Sequence, residues 1–132
     1  MDKSFGIIQA YYQAVWTDLD FKKFSSLFSA TVALNYTYNG ATESNMSLDE
    51  FLRRMEKGHF KNTTSVEVRT LNITRAVNSQ LFLVNEEAIL ERLGYGRDED
   101  GPGTYHYHGS GGIIVKDGLI TYLSYTFTKK KV

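Results

Sequence analysis

Three side chains stand out as possible carriers of protons. His106 and His108 lie two apart in the run Tyr105-His106-Tyr107-His108-Gly109-Ser110-Gly111. On a strand that spacing puts both rings on one face, and imidazole is the side chain poised to exchange protons near neutral pH. Tyr36, in Val32-Ala33-Leu34-Asn35-Tyr36-Thr37-Tyr38, carries a hydroxyl that both donates and accepts hydrogen bonds. Its ordinary pKa, about 10, makes it a poor base but a usable donor. Tyr12, Trp16, Leu34, Tyr36, Tyr38 and Tyr107 are candidates for the wall of an aromatic-lined pocket, with Tyr12 and Tyr36 orienting a ligand carbonyl.

Glu86, Glu87 and Glu91 fall in mid-strand, where acids are scarce. One of the adjacent pair Glu86 and Glu87 must face each side of a sheet. An inward one beside Arg75 is either a paired polar site or, if stripped of water, a base with a raised pKa. Glu87 is assigned to the pocket.

Strand parity opposes a pocket role for the histidines. If Gly111, Ile113 and Val115 face inward, so do Tyr105, Tyr107 and Gly109, and both histidines face out. A bulge in the Gly-rich run reverses this. A metal on the His pair needs a third ligand, and no spacing rule ties His59, the only other histidine, to this strand. No metal and no cofactor are expected. Gly109-Ser110-Gly111-Gly112 does not precede a helix whose amides could cradle an anion, so it marks a close approach of backbone to a neighbour or a ligand. The absence of cysteine removes disulfides, thiol catalysis and thiolate metal sites.

The 132 residues fit one domain, 1–128, followed by a basic end at 129–132 that reads as a frayed, solubilising tail. Fifteen acidic and fifteen basic residues cancel, so no strong field recruits nucleic acid or an anionic membrane. Neither is expected as a partner. No secretory signal opens the sequence and no run approaches the roughly 20 apolar residues of a membrane helix. A cytoplasmic protein is the expectation.

Helical patterns come first and strands later, which reads as α+β. Phe5, Ile8, Tyr12 and Val15 recur at helical spacing over about 3–16. Asp18 or Asp20 caps a second helix whose buried stripe is Phe21, Phe24 and Phe28. A strand is expected over 32–38 and a loop over 39–45. Ser47-Leu48-Asp49-Glu50 is a capping box for a third helix over about 47–57, stopped by Gly58. Strands over 65–77, 80–93, 105–115 and 119–128 complete the chain. The first switches parity near Arg69-Thr70, which predicts a bulge or bend. Asn78-Ser79 and Asp117-Gly118 are hairpin turns, and 94–104 is a polar loop holding the only proline.

This order resembles that of the nuclear transport factor 2-like (SnoaL-like, ketosteroid isomerase-like) superfamily. The stretch Tyr11–Trp16 with Asp20-Phe21 and Leu27-Phe28 looks like its opening, and Gly112-Ile113-Ile114-Val115-Lys116-Asp117-Gly118-Leu119-Ile120 resembles its ending. The resemblance implies a cystatin-like α+β cone: a curved, mostly antiparallel sheet wrapped around three helices from the N-terminal half. Among that superfamily's ketosteroid isomerases, the oxyanion-donating tyrosine matches Tyr12. The base and the late acid fall on Tyr36 and about Gly111, which are not acids, so the usual steroid isomerase chemistry is disfavoured. The 105–111 run is similar to the His-bearing strand of scytalone dehydratases, with Gly111 where those carry Asn.

Two readings follow. In the first, a pocket protein takes a small apolar or aromatic molecule and acts as a cofactor-independent acid–base lyase, isomerase or cyclase through His106, His108 or a strand glutamate. In the second, the same fold is a non-catalytic binding or dimerisation module. A packed cone removes the enzyme, whereas a cavity of roughly 300 Å3 or more with convergent polar groups sustains it. Either way a homodimer through the sheet is expected, because an exposed face carrying Tyr, Ile and Leu needs cover.

Overall fold

The computed structural model describes residues 3–38, 40–94 and 101–132. Asn39 and positions 95–100 of the expected polar loop lie outside the described residues, as does the Met1-Asp2 start. The first helix, α1 (Ser4–Tyr12), continues into a wider π-helical turn over Gln13–Asp18. Leu19 breaks it by adopting a left-handed backbone, φ 48°. Of the expected stripe, Ile8, Tyr12 and Val15 are buried and Phe5 is not.

Asp20 is the cap of α2 (Phe21–Ser25): its carboxylate accepts from the Lys23 amide at 3.0 Å. Phe28 does not belong to that helix. The helix ends at Ser25 and Phe28 opens β1 (Phe28–Tyr38), although its ring still packs 5.1 Å from Phe24. The expected loop at 39–45 contains a short edge strand, β2 (Ala41–Ser44), folded back on β1 through Gly40 at φ 88°.

Ser47 caps α3 (Leu48–Met55), accepting from the Glu50 amide at 3.2 Å. Glu50 spends its carboxylate on Arg53 and Arg54. Gly58 does not stop this helix. The chain runs on through a second π-helical segment, Glu56–Phe60, which buries His59 and Phe60. Burial of two large rings outweighs the roughly 1 kcal/mol helix penalty of one glycine.

The remaining strands are β3 (Thr63–Arg75), β4 (Leu81–Arg92), β5 (Gly103–Lys116) and β6 (Leu119–Lys131). The β3–β4 register slips between Val68 and Thr70, where the parity switch predicts a bulge or bend. Asp117 and Gly118, at φ 53° and 79°, make the two-residue turn between β5 and β6. Lys129, Lys130 and Lys131 are not frayed: they pair in register with Tyr107, His106 and Tyr105.

The six strands form one curved sheet in the order β2-β1-β6-β5-β4-β3. Every pair is antiparallel except β1 with β6. The concave face wraps the helices in an α+β cone, with Phe24, Phe28, Phe51 and Phe60 packed together at the helical side of its core. No helix among the described residues is long and apolar enough to cross a membrane.

Candidate functional site

The concave face is not filled. A cavity of about 280 Å3 opens between the sheet and the two π-helical segments. Its wall takes Tyr12 and Trp16 from the first helix and its extension, Tyr36 and Tyr38 from β1, Glu86 from β4, Tyr107 from β5, and Tyr125 and Phe127 from β6. The volume is near the lower end for small-molecule sites, roughly 300 Å3.

Among the described residues, Glu86 is the one acid in this wall. It is 4 % exposed. Loss of water, opposed by hydrogen bonding from Tyr125, Tyr12, Tyr107 and Trp16, sets its pKa at about 7 against an ordinary 4.5. The donors are close enough to favour the carboxylate, but they are not locked onto it. Glu86 Oε2, Tyr12 Oη, Tyr125 Oη and Trp16 Nε1 are all buried without a well-formed hydrogen bond. These four atoms belong to side chains that line one cavity, so a molecule bound there can engage them. Burial, and then the nearby Glu86 charge for Tyr12 and Tyr107, raise the tyrosine pKa values well above 10. The three phenols stay protonated and can only act as neutral donors and acceptors.

Glycines let this geometry form. Tyr125 lies against Gly109 and Gly111 of β5, and a Cβ on Gly109 would meet Tyr125 Cε1 at 2.7 Å and Tyr107 Oη at 2.9 Å. The close backbone approach expected from the Gly-Ser-Gly-Gly run is therefore to a neighbouring ring.

The π-helical segments meet at the other wall. Both the Leu19 and Asp20 amides turn back to the Ala14 carbonyl. The Val15 carbonyl accepts from His59 Nε2 at 2.6 Å. A carbonyl only accepts, so His59 Nε2 carries a proton. His59 in turn stands edge-on to Trp16, 5.2 Å away, and Trp16 edge-on to Tyr107 at the same distance. This ladder of rings holds the indole in place.

Basic side chains also line the cavity, among them Arg54, Lys57 and Lys129. Arg54 is held by Glu50 at 2.8 Å and Glu43 at 2.7 Å, and Lys129 sits 5.4 Å over the Tyr38 ring.

The structure brings together Tyr12, Trp16, Tyr36, Tyr38 and Tyr107. It does not bring the other candidates there. Leu34 is buried in the core beside the cavity rather than lining it. His106, His108 and Glu87 stand on the opposite, convex face, where His106 Nε2 and Glu87 Oε2 are 2.5 Å apart. No bulge interrupts the β4–β5 pairing, so simple alternation from Tyr105 and Tyr107 holds through Val115 and turns the histidines outward. The inward glutamate is Glu86, and it does not stand beside Arg75: its register partner on β3 is Leu71. The signal that identifies it is parity, for Phe82, Val84, Ala88 and Leu90 share its side of the strand and are all buried. His59, Arg92 and Tyr125 also line the cavity, and no local pattern marks them.

No family model and no curated protein matches the sequence. Solved structures do match. A phenazine biosynthesis-related protein from Pseudomonas aeruginosa aligns over 95 % of this chain and 79 % of its own, with a TM-score of 0.72 and 16 % identity. A candidate polyketide cyclase from Xanthomonas campestris pv. campestris aligns over 92 % and 87 %, with a TM-score of 0.67 and 20 % identity. An NTF-2 like protein of unknown function from Burkholderia xenovorans LB400 aligns over 93 % and 80 %, with a TM-score of 0.57 and 11 % identity. With its helices in the hollow of a six-stranded mixed sheet, the chain has the cone fold of the nuclear transport factor 2-like superfamily.

Proposed function

We propose that this protein is a cofactor-independent acid–base enzyme acting on a small ring compound that carries a carbonyl, with Glu86 as the group that moves the proton. The observation that carries this reading is the convergence of Glu86 Oε2, Tyr12 Oη, Tyr125 Oη and Trp16 Nε1, each buried and without a well-formed hydrogen bond, around one cavity. A structural carboxyl would be expected to have its bonds closed.

The chemistry follows from the arrangement. A carboxyl with a pKa of about 7 is divided between its two forms at neutral pH, which suits it to take a proton and return it. Glu86 removes a proton from the carbon next to the carbonyl. The electron pair moves onto the carbonyl oxygen, where the neutral hydroxyls of Tyr12 and Tyr125 hold the developing charge. Glu86, now a carboxylic acid, returns the proton to another carbon, giving isomerisation, or to a departing hydroxyl, giving dehydration. Tyr36, Tyr38 and Phe127 pack against the ring. His106 and His108 take no part.

The test uses a carbon acid small enough to enter. The ring opening of 5-nitrobenzisoxazole needs one base and no cofactor, and it is followed by absorbance. Wild-type protein is expected to accelerate it, with a rate that climbs as pH rises through about 7, and Glu86→Gln to abolish the acceleration. Equal rates for the two proteins across that range would leave the fold's other reading, a pocket that binds without reacting.

A further inference from the structure

The convex face carries a second constellation that the pocket does not use. His106 and His108 project from β5 on the same side, their rings edge-to-face at 4.4 Å. The register of β4 with β5 sets Glu87 directly opposite His108. Glu87 Oε2 lies 2.5 Å from His106 Nε2 and 3.5 Å from His108 Nε2. One donor atom from each of the three side chains falls within 4.8 Å of the others. Sequence spacing offers two ligands here; strand pairing supplies the third.

We propose that Glu87, His106 and His108 bind one divalent cation of the zinc class on the outer face of the sheet. The donor set is two imidazole nitrogens and one carboxylate oxygen, the mixture that borderline cations such as Zn2+ prefer and that Mg2+ and Ca2+ do not. Metal–ligand lengths of about 2.0–2.2 Å put tetrahedral donors a little over 3 Å apart. Small side-chain rotations reach this from the present spacing, chiefly by opening the Glu87–His106 hydrogen bond. The backbones need not move, because β5 is paired along its length on both sides. The side chains of Glu87, His106 and His108 are 28 %, 35 % and 57 % exposed, so a cation enters from solvent and keeps water in its fourth position. Lys130 is the register partner of His106 on β6, and Arg69 lies near Glu87. Both oppose a cation, which limits the site to moderate affinity.

Isothermal titration of tag-free full-length protein with Zn2+ tests this. One Zn2+ per chain in the micromolar range is expected, with no heat from Mg2+. Glu87→Gln, and His106→Ala combined with His108→Ala, should each weaken binding at least about tenfold. Circular dichroism and the zinc-free melting temperature check that both variants remain folded. Should the double substitution impair folding, His108→Gln alone, at an exposed position, must still lower the affinity. Absence of stoichiometric binding, or an unchanged titration in the folded variants, overturns the proposal.

Discussion

Glu86 and Glu87 are neighbours in the chain and occupy opposite sides of one sheet: Glu86 is 4 % exposed inside the cone, and Glu87 holds His106 at 2.5 Å on the convex face. One acid is stripped of water and its pKa rises to about 7; the other is held below the ordinary carboxylate range, first by the His106 hydrogen bond. Alternation along β4 thus gives two identical side chains opposite electrostatic surroundings.

Glu86→Gln should stabilise the protein at alkaline pH. An acid whose folded pKa lies above its unfolded value makes stability fall as pH rises from about 4.5 to about 7, with no further loss beyond. The full difference corresponds to roughly 3 kcal/mol. Urea unfolding at pH 8 should favour the variant by up to that amount, and at pH 4 the two proteins should match. A variant less stable than wild type at pH 8 would show that the carboxylate is better satisfied than its geometry indicates.

Tyr125→Phe should raise the Glu86 pKa further, because the Tyr125 hydroxyl is the largest of the hydrogen-bonding influences that favour the ionised form. Carbon-13 NMR of labelled glutamate reads this directly. Folding stability should fall at pH 8, where the ionised Glu86 loses this donor, and change little at pH 4, where the carboxyl is protonated.

Gly111→Ala should cost about 1–3 kcal/mol. The new methyl would collide with the Ser124 carbonyl oxygen and lie 2.7 Å from Tyr125 Cδ2. Gly112→Ala should cost much less, since its contact is the flexible end of Leu81 at 2.9 Å. Denaturation midpoints of the two variants order the effects.

Ser47→Ala should destabilise by about 1 kcal/mol, the usual loss for a helix cap. The loss would show that α3 needs its Ser47 bond to the Glu50 amide. An unchanged midpoint would mean that burial of Phe51 and the Glu50 ion pairs hold α3 without it.

A homodimer remains the expected assembly. The convex face exposes Leu83 at 46 %, with Ile114 and Tyr122 partly covered, and the zero net charge offers little repulsion. Sedimentation at micromolar concentration should give twice the 15.0 kDa chain mass; a species of single mass would remove the dimer.

Features with a local cause were legible in the residues. Asp117-Gly118 needs left-handed backbone at both positions, and the parity switch at Arg69-Thr70 calls for a bulge or bend, which the register shift between Val68 and Thr70 supplies. Features decided by distant contacts were not. The Ala41–Ser44 strand has loop-like composition and exists because β1 offers an edge. Gly58 stays in a helical segment because His59 reaches across to the Val15 carbonyl. The site was half legible: aromatic residues at strand and helix spacing marked its walls. The acid at its centre required weighing the apolar parity of β4 over its whole length, and the histidines drew attention because imidazole is reactive wherever it points.

The parallel pairing of β1 with β6 joins residues 28–38 to 119–131. During synthesis the first strand therefore waits, its inner edge uncovered, while more than half the polypeptide is still to be made. The cone cannot close one piece at a time as it leaves the ribosome. Its cavity comes into being only with the last strand, so a chain cut after the Asp117-Gly118 turn would lose the wall holding Tyr125 and leave β1 with β2 severed from β3, β4 and β5.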